Sequence, residues 1–372
     1  MHFARLHISG LRNIRSADLS FSQGFNYIYG ANGAGKTAVL EALHVLARGR
    51  SFRATNLDQL INRNGEAMII RAEVQKTHTQ HRLGYSRAGT GNEFSVDGQR
   101  GGGFAGLAEH IAVQTLLPNS AELIYGSPGE RRRFLDWGLF HVEHDFLHKS
   151  RRYTRTLQQR NAWLKQQSET VQIKEDPWVE SISDLAGQLS EARANYVDRL
   201  GAPFRAALES LSSDLLIDIE YDWGGLQSQS EVQKKMSESF SRDVKFGSTQ
   251  RGPHRADLTV NYQYSSDESS GHDKAQNVLS RGQAKVVASA LMLAQVELQR
   301  AETGEGSVVL IDDFGAELDV EHWNRFVRAL EQLGCQVIST STEPPNSQSW
   351  LNDVECDVFH VEHGAIVASK SK

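Results

Sequence analysis

The first eight residues, Met1 to Ile8, alternate apolar and polar side chains, the period-two pattern of a strand with one covered face. A second apolar run, Phe25-Asn26-Tyr27-Ile28-Tyr29, reads as a short buried strand and runs straight into a glycine-rich segment. Beyond that segment the period lengthens. Val39, Leu40, Leu43, Leu46 and Ala47 fall on one face of a helix, and Gly49 supplies its stop. Residues 131–164 hold few breakers and place Phe134, Leu135, Leu139, Phe140, Phe146 and Leu147 at helical spacing; a second helical stretch is expected near 179–211. Residues 264–276 are rich in Ser, Asp and Gly and read as a mobile connection into another apolar helix, marked by Val286, Val287, Ala290, Leu291, Leu293 and Ala294. Ser307-Val308-Val309-Leu310-Ile311-Asp312-Asp313 is then an apolar run closed by two acids, the signature of a buried parallel strand.

Composition adds boundaries to this picture. The 372 residues suffice for two or three domains, and 39% hydrophobic with 23% charged residues is ordinary for a soluble globular chain. No apolar run approaches the roughly 20 residues of a membrane span, and the N-terminus lacks the apolar stretch of a signal peptide. Cys335 and Cys356 have no CxxC spacing, so two ordinary cytosolic thiols are expected. Net charge is −6, yet six basic residues and no acid lie between Lys149 and Lys165, just after the triplet Arg131-Arg132-Arg133. A local basic face can bind phosphates within an acidic protein, because screening limits distant charges to about 8–10 Å.

The glycine-rich segment carries the sharpest chemistry. Gly30-Ala31-Asn32-Gly33-Ala34-Gly35-Lys36-Thr37 is a full GxxxxGK[ST] match between strand and helix. Its glycines let consecutive N–H groups face a phosphate, Lys36 offers a point charge to the terminal phosphates, and the Thr37 hydroxyl suits Mg²⁺. At the far end of the chain, Asp312 is placed to hold Mg²⁺ and Asp313 to orient or deprotonate an attacking water. Asp313-Phe314-Gly315 spells a kinase DFG and His254-Arg255-Ala256-Asp257 faintly suggests a kinase catalytic loop, but the spacing is wrong and the phosphate loop is of the other type.

Leu279-Ser280-Arg281-Gly282-Gln283 precedes the apolar helix and sets Ser280, Gly282 and Gln283 at an anion-favouring helix start; an ordinary capping turn is the simpler reading of these five residues. In this order with the other two motifs, the segment resembles the LSxGQ signature of ABC-type ATPases. That resemblance implies an α/β fold, a P-loop ATPase lobe formed by both chain ends with an inserted α-helical lobe. It also implies that the signature caps ATP held by a second subunit, in an ATP-dependent homodimer. Glu317-Leu318-Asp319 resembles the D-loop. Gln114 stands where a Q-loop metal contact would be, with a structural glutamine the alternative. The switch histidine of transporters is missing, which leaves Ser339, Thr340 or Ser341 to sense the γ-phosphate.

Ser280 lies 244 positions after Lys36, too far for a transporter subunit, and the intervening sequence lacks the heptads of a long coiled coil. The residues 6–15, 49–53, 126–136 and 250–258 resemble blocks of the RecF family, in the SMC branch of these ATPases, although Leu11 stands where Phe is expected. The resemblance implies a cytoplasmic, nucleoid-associated ATPase, weak and DNA-stimulated, that binds duplex, gapped and single-strand junction DNA and aids RecA loading with RecO and RecR. Roles in recombinational repair, replication restart and SOS induction would follow; the alternative is an ABC-type ATPase subunit of another DNA-maintenance or transport complex. The division expected is 1–117 and 234–372 for the ATPase lobe and 118–233 for the helical lobe. Arg131, Arg132, Arg133, Arg151, Arg152 and Arg155 are the expected DNA contacts, with Tyr153 and Trp163 interleaved; a solvated helix face is the bland alternative.

Overall fold

The computed structural model describes residues 1–89, 91–166, 176–226, 228–264, 272–313, 318–347, 349–352 and 354–369. The chain divides into two compact units, Met1–Ser120 with Leu291–Lys372, and Ala121–Ala290.

The first unit opens with β1 (His2–Leu11), β2 (Ile14–Ser20) and β3 (Phe25–Tyr29), then the glycine loop and α1 (Lys36–Arg48). It continues through β4 (Ala67–Gln75), β5 (Gln80–Ala88), β6 (Gly91–Val96), β7 (Gln99–Arg100), α2 (Gly103–Ala108) and β8 (Val113–Leu116). An antiparallel sheet forms in the order β2-β1-β4-β5-β6-β7. Leu6 and Ile8 of β1 are buried two residues apart, as the alternation predicts, and Phe3 is buried with them because a bulge between Phe3 and Arg5 shifts the register.

The second unit holds α3 (Glu122–Tyr125), α4 (Pro128–Val142), α5 (Phe146–Gln166) and the long α6 (Val179–Leu211). After these come β9 (Ile217–Asp222), α7 (Val232–Glu238), α8 (Phe240–Phe246), β10 (Asp257–Gln263), β11 (His272–Lys274) and α9 (Ala275–Val278). It is therefore not purely helical: β11, β10 and β9 form a three-stranded sheet. The pairing of β10 with β9 draws residues beyond 233 into this unit. Part of the segment read as a mobile connection is ordered, since β11 pairs with β10 from Asn261 to Gln263; its residues 265–271 lie outside the described ones.

Helix α10 (Arg281–Thr303) runs from the second unit into the first, where β12 (Val308–Ile311), α11 (Val320–Gln332), β13 (Gln336–Ser341), β14 (Cys356–Glu362) and β15 (Ala365–Ser369) follow. They complete a second sheet, β15-β14-β3-β13-β12-β8, parallel except for β15. One apolar cluster joins both sheets of the first unit to α1. Between them α1 is buried from Ala38 to Ala47, on every side and not only on its apolar stripe. Glu41 and His44 are buried with it, and each has a partner: Glu41 takes both Arg12 nitrogens at 2.9 Å, and His44 Nδ1 meets Thr115 Oγ1 at 3.0 Å. Gly49 caps the helix in the left-handed region, its N–H donating to Val45 O.

Candidate functional site

The glycine loop leaves β3 at the carboxyl edge of the parallel sheet, where open α/β sheets bind ligands. Gly30 is demanded by proximity: a Cβ there would lie 2.2 Å from Val361 O on β14. Gly35, at φ 121, turns the chain into α1. Two turns clasp the loop from outside. Asn13 Nδ2 donates to Gly33 O and Ala34 O, both at 2.9 Å, and Gly364 N donates to Ala34 O at 2.8 Å. Lys36 Nζ donates to Gly30 O at 2.8 Å and Ala31 O at 3.0 Å. Burial pushes its pKa below the ordinary value, while Asp313 and Asp312 pull it back up.

Asp312 stands just past β12, opposite the first turn of α1. Thr37 Oγ1 donates to its Oδ1 at 2.9 Å, and Thr340 Oγ1 donates to the same oxygen at 2.8 Å. Asp313 has φ 52, a left-handed conformation that costs a non-glycine residue about 1–2 kcal/mol. Its N–H donates to Thr340 Oγ1 at 3.1 Å. Lys36, Thr37, Asp312, Asp313 and Thr340 thus line one cavity of about 460 Å³, joined by Asn119 from the segment after β8. A larger cavity of about 1310 Å³ adjoins the same loop and is lined by Arg12, Arg15, Arg53 and Arg63. Cations around open space beside a glycine cradle suit a polyphosphate. Thr37 and Asp312 give an all-oxygen pair of the kind a small divalent cation takes.

Sequence reasoning missed Asn13, Asn119 and the arginines of the larger cavity. Asn13 and Arg53 do lie inside blocks that suggested the family, yet nothing in their residue type marks them as loop neighbours.

Gln114 lies on β8, within the first unit. Its side chain is buried at 5% exposure, donating to Gln295 Oε1 at 2.6 Å and accepting from Arg48 Nη2 at 3.2 Å. Both ends of the amide are engaged inside the first unit, the arrangement of the structural alternative. Among the three hydroxyls of β13, only Thr340 reaches the acidic pair. Ser339 donates to Asn26 O at 3.4 Å, and Ser341 Oγ accepts from Glu343 N at 3.1 Å.

In the second unit, Ser280 and Gln283 form a reciprocal capping box: Ser280 N donates to Gln283 Oε1 at 2.9 Å, and Gln283 N to Ser280 Oγ at 3.3 Å. The capping reading and the signature reading therefore describe one feature. Leu279 and Ala284 anchor it by burial, leaving Ser280, Arg281, Gly282 and Gln283 exposed. In the D-loop segment, Asp319 caps α11 through His322 N at 3.0 Å; Glu317 lies outside the described residues.

The expected basic face divides in two. Arg131 is buried, bound to Asp257 at 2.7 and 2.8 Å and to the carbonyls of Ile124 and Gly126, so it holds α4 to β10 and does not face solvent. Arg132 donates to Ala256 O at 2.7 Å, and Arg133 pairs with Glu130 on its own helix. Arg160 is wholly buried between Asp176 and Asp243. Tyr153 is buried against His254 and offers no base-stacking surface, while half-buried Trp163 has one ring face stacked on Phe240. Arg151, Arg152 and Arg155 remain exposed on α5, joined by exposed Arg255.

A glycine cradle on a parallel sheet, an acidic strand end beside it and a signature turn on a helix start define an ATPase head of the ABC type. The chain belongs to the RecF family, within the RecF/RecN/SMC N-terminal domain group whose family model matches residues 2–366. It is 37% identical to the DNA replication and repair protein RecF of Pseudomonas paraeruginosa, over 98% of this chain and 97% of the relative. It is likewise 37% identical to RecF of Chromohalobacter salexigens, over 99% of each. Among solved structures, RecF with ATP from the RecFOR pathway superposes with a TM-score of 0.85 at 25% identity, covering 99% of this chain and 98% of that one. An Smc head bound to the C-terminal winged-helix domain of ScpA reaches 0.62 at 14% identity, over 100% of this chain and 98% of that one, which shares the fold.

Proposed function

We propose that this protein is an ATP-switched DNA-binding ATPase of DNA repair and replication. The observation that carries the reading is the convergence of Lys36, Thr37, Asp312 and Asp313 from opposite ends of the chain on one cavity. Residues 30–37 cradle the phosphates and Lys36 neutralises their charge. Thr37 and Asp312 would hold Mg²⁺, which would supply neutralisation of the phosphate charge. Asp313, exposed in the same cavity, orients or deprotonates the attacking water.

The exposed capping box at Ser280 and Gln283 supports a second step, in which the helix start of one subunit caps ATP held by another. ATP then drives head-to-tail homodimerisation, and hydrolysis releases it; the monomer alone is a poor ATPase. Arg151, Arg152 and Arg155 meet phosphates of duplex or gapped DNA without base readout. The role read from this is with RecO and RecR in loading RecA at single-strand gaps, in the cytoplasm, with replication restart and SOS induction downstream; similarity to RecF proteins described as DNA replication and repair proteins and as a recombination mediator of the RecFOR pathway supports the repair part of it.

Self-association and gapped-DNA binding, measured with ATP, ADP and no nucleotide, test the reading in wild type, Lys36→Arg and Ser280→Arg. Ser280→Arg is expected to bind ATP yet lose ATP-dependent dimerisation. An unaffected dimer in that variant overturns the composite site.

A further inference from the structure

Thr340 is only 1% exposed, and its hydroxyl touches both members of the acidic pair. Its hydrogen-bond directions are fixed by chemistry. A backbone N–H can only donate, so Thr340 Oγ1 accepts from Asp313 N at 3.1 Å, and its single proton goes to Asp312 Oδ1 at 2.8 Å. Thr37 donates to the same Oδ1 at 2.9 Å. A directed chain therefore runs from the backbone of Asp313, through Thr340, to the carboxylate that faces Thr37.

We propose that Thr340 is a positioning residue for ATP hydrolysis, a strut that holds the cation-side carboxylate of Asp312 and the left-handed backbone of Asp313 in one arrangement; this rests on the hydrolytic reading above. Without the hydroxyl, the Asp313 N–H has no acceptor, and the strand end has less to hold it at φ 52. Asp312 keeps only the Thr37 donor, so its carboxylate can rotate away from the cation position. The hydroxyls of Ser339 and Ser341 do not substitute, since side chains alternate across a strand and both have partners elsewhere. Thr340 acts through the two aspartates, so its loss lowers turnover while leaving nucleotide affinity, set by the glycine loop and Lys36, largely intact.

The test compares wild type with Thr340→Val, Thr340→Ala and Thr340→Ser, in steady-state ATP turnover with gapped DNA and in equilibrium binding of a fluorescent ATP analogue. Val keeps the shape and removes the hydroxyl; Ala carries the same expectation should thermal unfolding show that Val disturbs packing. Turnover is expected to fall at least about tenfold in Val or Ala with ATP Kd within about threefold, and Ser is expected to restore it to within about threefold of wild type. Ser339→Ala and Ser341→Ala are expected to stay within about twofold. Wild-type turnover in Thr340→Val, or Thr340→Ser as slow as Thr340→Val, overturns the strut. A wild-type protein that turns over no ATP overturns the hydrolytic reading itself, a result distinct from active variants.

Discussion

Replacing Arg160 with Met separates the structural arginines of α5 from those that face solvent. The guanidinium donates to Asp176 Oδ2 from Nε at 2.9 Å and Nη2 at 2.7 Å, to Asp243 Oδ2 at 2.8 Å and to Thr249 Oγ1 at 2.6 Å. Its side chain and that of Asp243 are fully buried, and that of Asp176 is 4% exposed. Met keeps most of the stem and removes the charge, stranding two carboxylates that retain only backbone and hydroxyl donors. Breaking one partner of a buried pair costs about 3–5 kcal/mol, and the cost falls on both aspartates here. Urea unfolding of the full chain should therefore show a loss in that range, partly recovered when Asp243→Asn is added, since the two changes are coupled. Salt dependence of DNA binding should stay as in wild type. The triple change of Arg151, Arg152 and Arg155 to Ala should do the reverse: stability within about 0.5 kcal/mol per site, with the slope of log affinity against log salt shallower by up to about 2.7. A loss below about 1 kcal/mol in Arg160→Met, or a shallower salt slope in that variant, refutes this division of the helix.

Three further outcomes follow from the site and its supports. Gly30→Ala places a methyl group against Val361 O, a backbone atom that cannot swing away, so fluorescent-nucleotide titration should show ATP binding at least about tenfold weaker; wild-type affinity would contradict the close approach. Asn13→Ala removes both of that side chain's hydrogen bonds to the loop and should weaken ATP binding by roughly 1 kcal/mol while sparing DNA binding without nucleotide; equal loss in both assays would count against it. Burial lowers the pKa of His254 from 6.5 to about 4, so the unfolded chain takes up its proton first as the pH falls. Its contribution is full above pH 6.5 and is lost towards pH 4, by up to about 3 kcal/mol. His254→Gln should flatten that fall in denaturant midpoints, and an unchanged slope would rule the residue out.

Much of the fold was legible because backbone geometry is dictated locally. The Phe25–Tyr29 run, the glycines after it and the apolar–acidic run at 308–313 each encode one element whatever lies around them. The long helix Val179–Leu211 fell within its expected bounds for the same reason. What stayed hidden depends on partners distant in sequence. Arg131 and Asp257 are 126 positions apart, and Arg160 and Asp243 are 83 apart, so nothing local distinguishes these arginines from solvated Arg151. Burial of α1 on all sides comes from the second sheet, which the periodicity of one helix does not announce. Gln114 was ambiguous for a related reason: a polar residue at a strand end suits a crevice or an internal amide pair equally well, and its partner Gln295 is 181 positions away. Among the phosphate-side residues, Gly30, Lys36, Thr37, Asp312 and Asp313 stood out by type and order, whereas Asn13 and Thr340 gain meaning only from the hydrogen bonds they make.

The strand that carries the glycine loop, β3, has β13 and β14 for its two neighbours, and β8 pairs with β12. Residues made early in synthesis thus wait for residues made much later: Phe25 meets Val337 on one side and Cys356 on the other. The second unit, Ala121–Ala290, is continuous and can condense while the ribosome is still translating. The phosphate cradle cannot, because closing a loop of some three hundred residues must precede its pairing. During that interval β3 is an unpaired apolar edge, exposed to rival strands and to chaperones. A nascent chain stalled before β13 therefore holds every residue of its phosphate loop without the strands that flank it, so ATP binding reports on translation through β13 and β14.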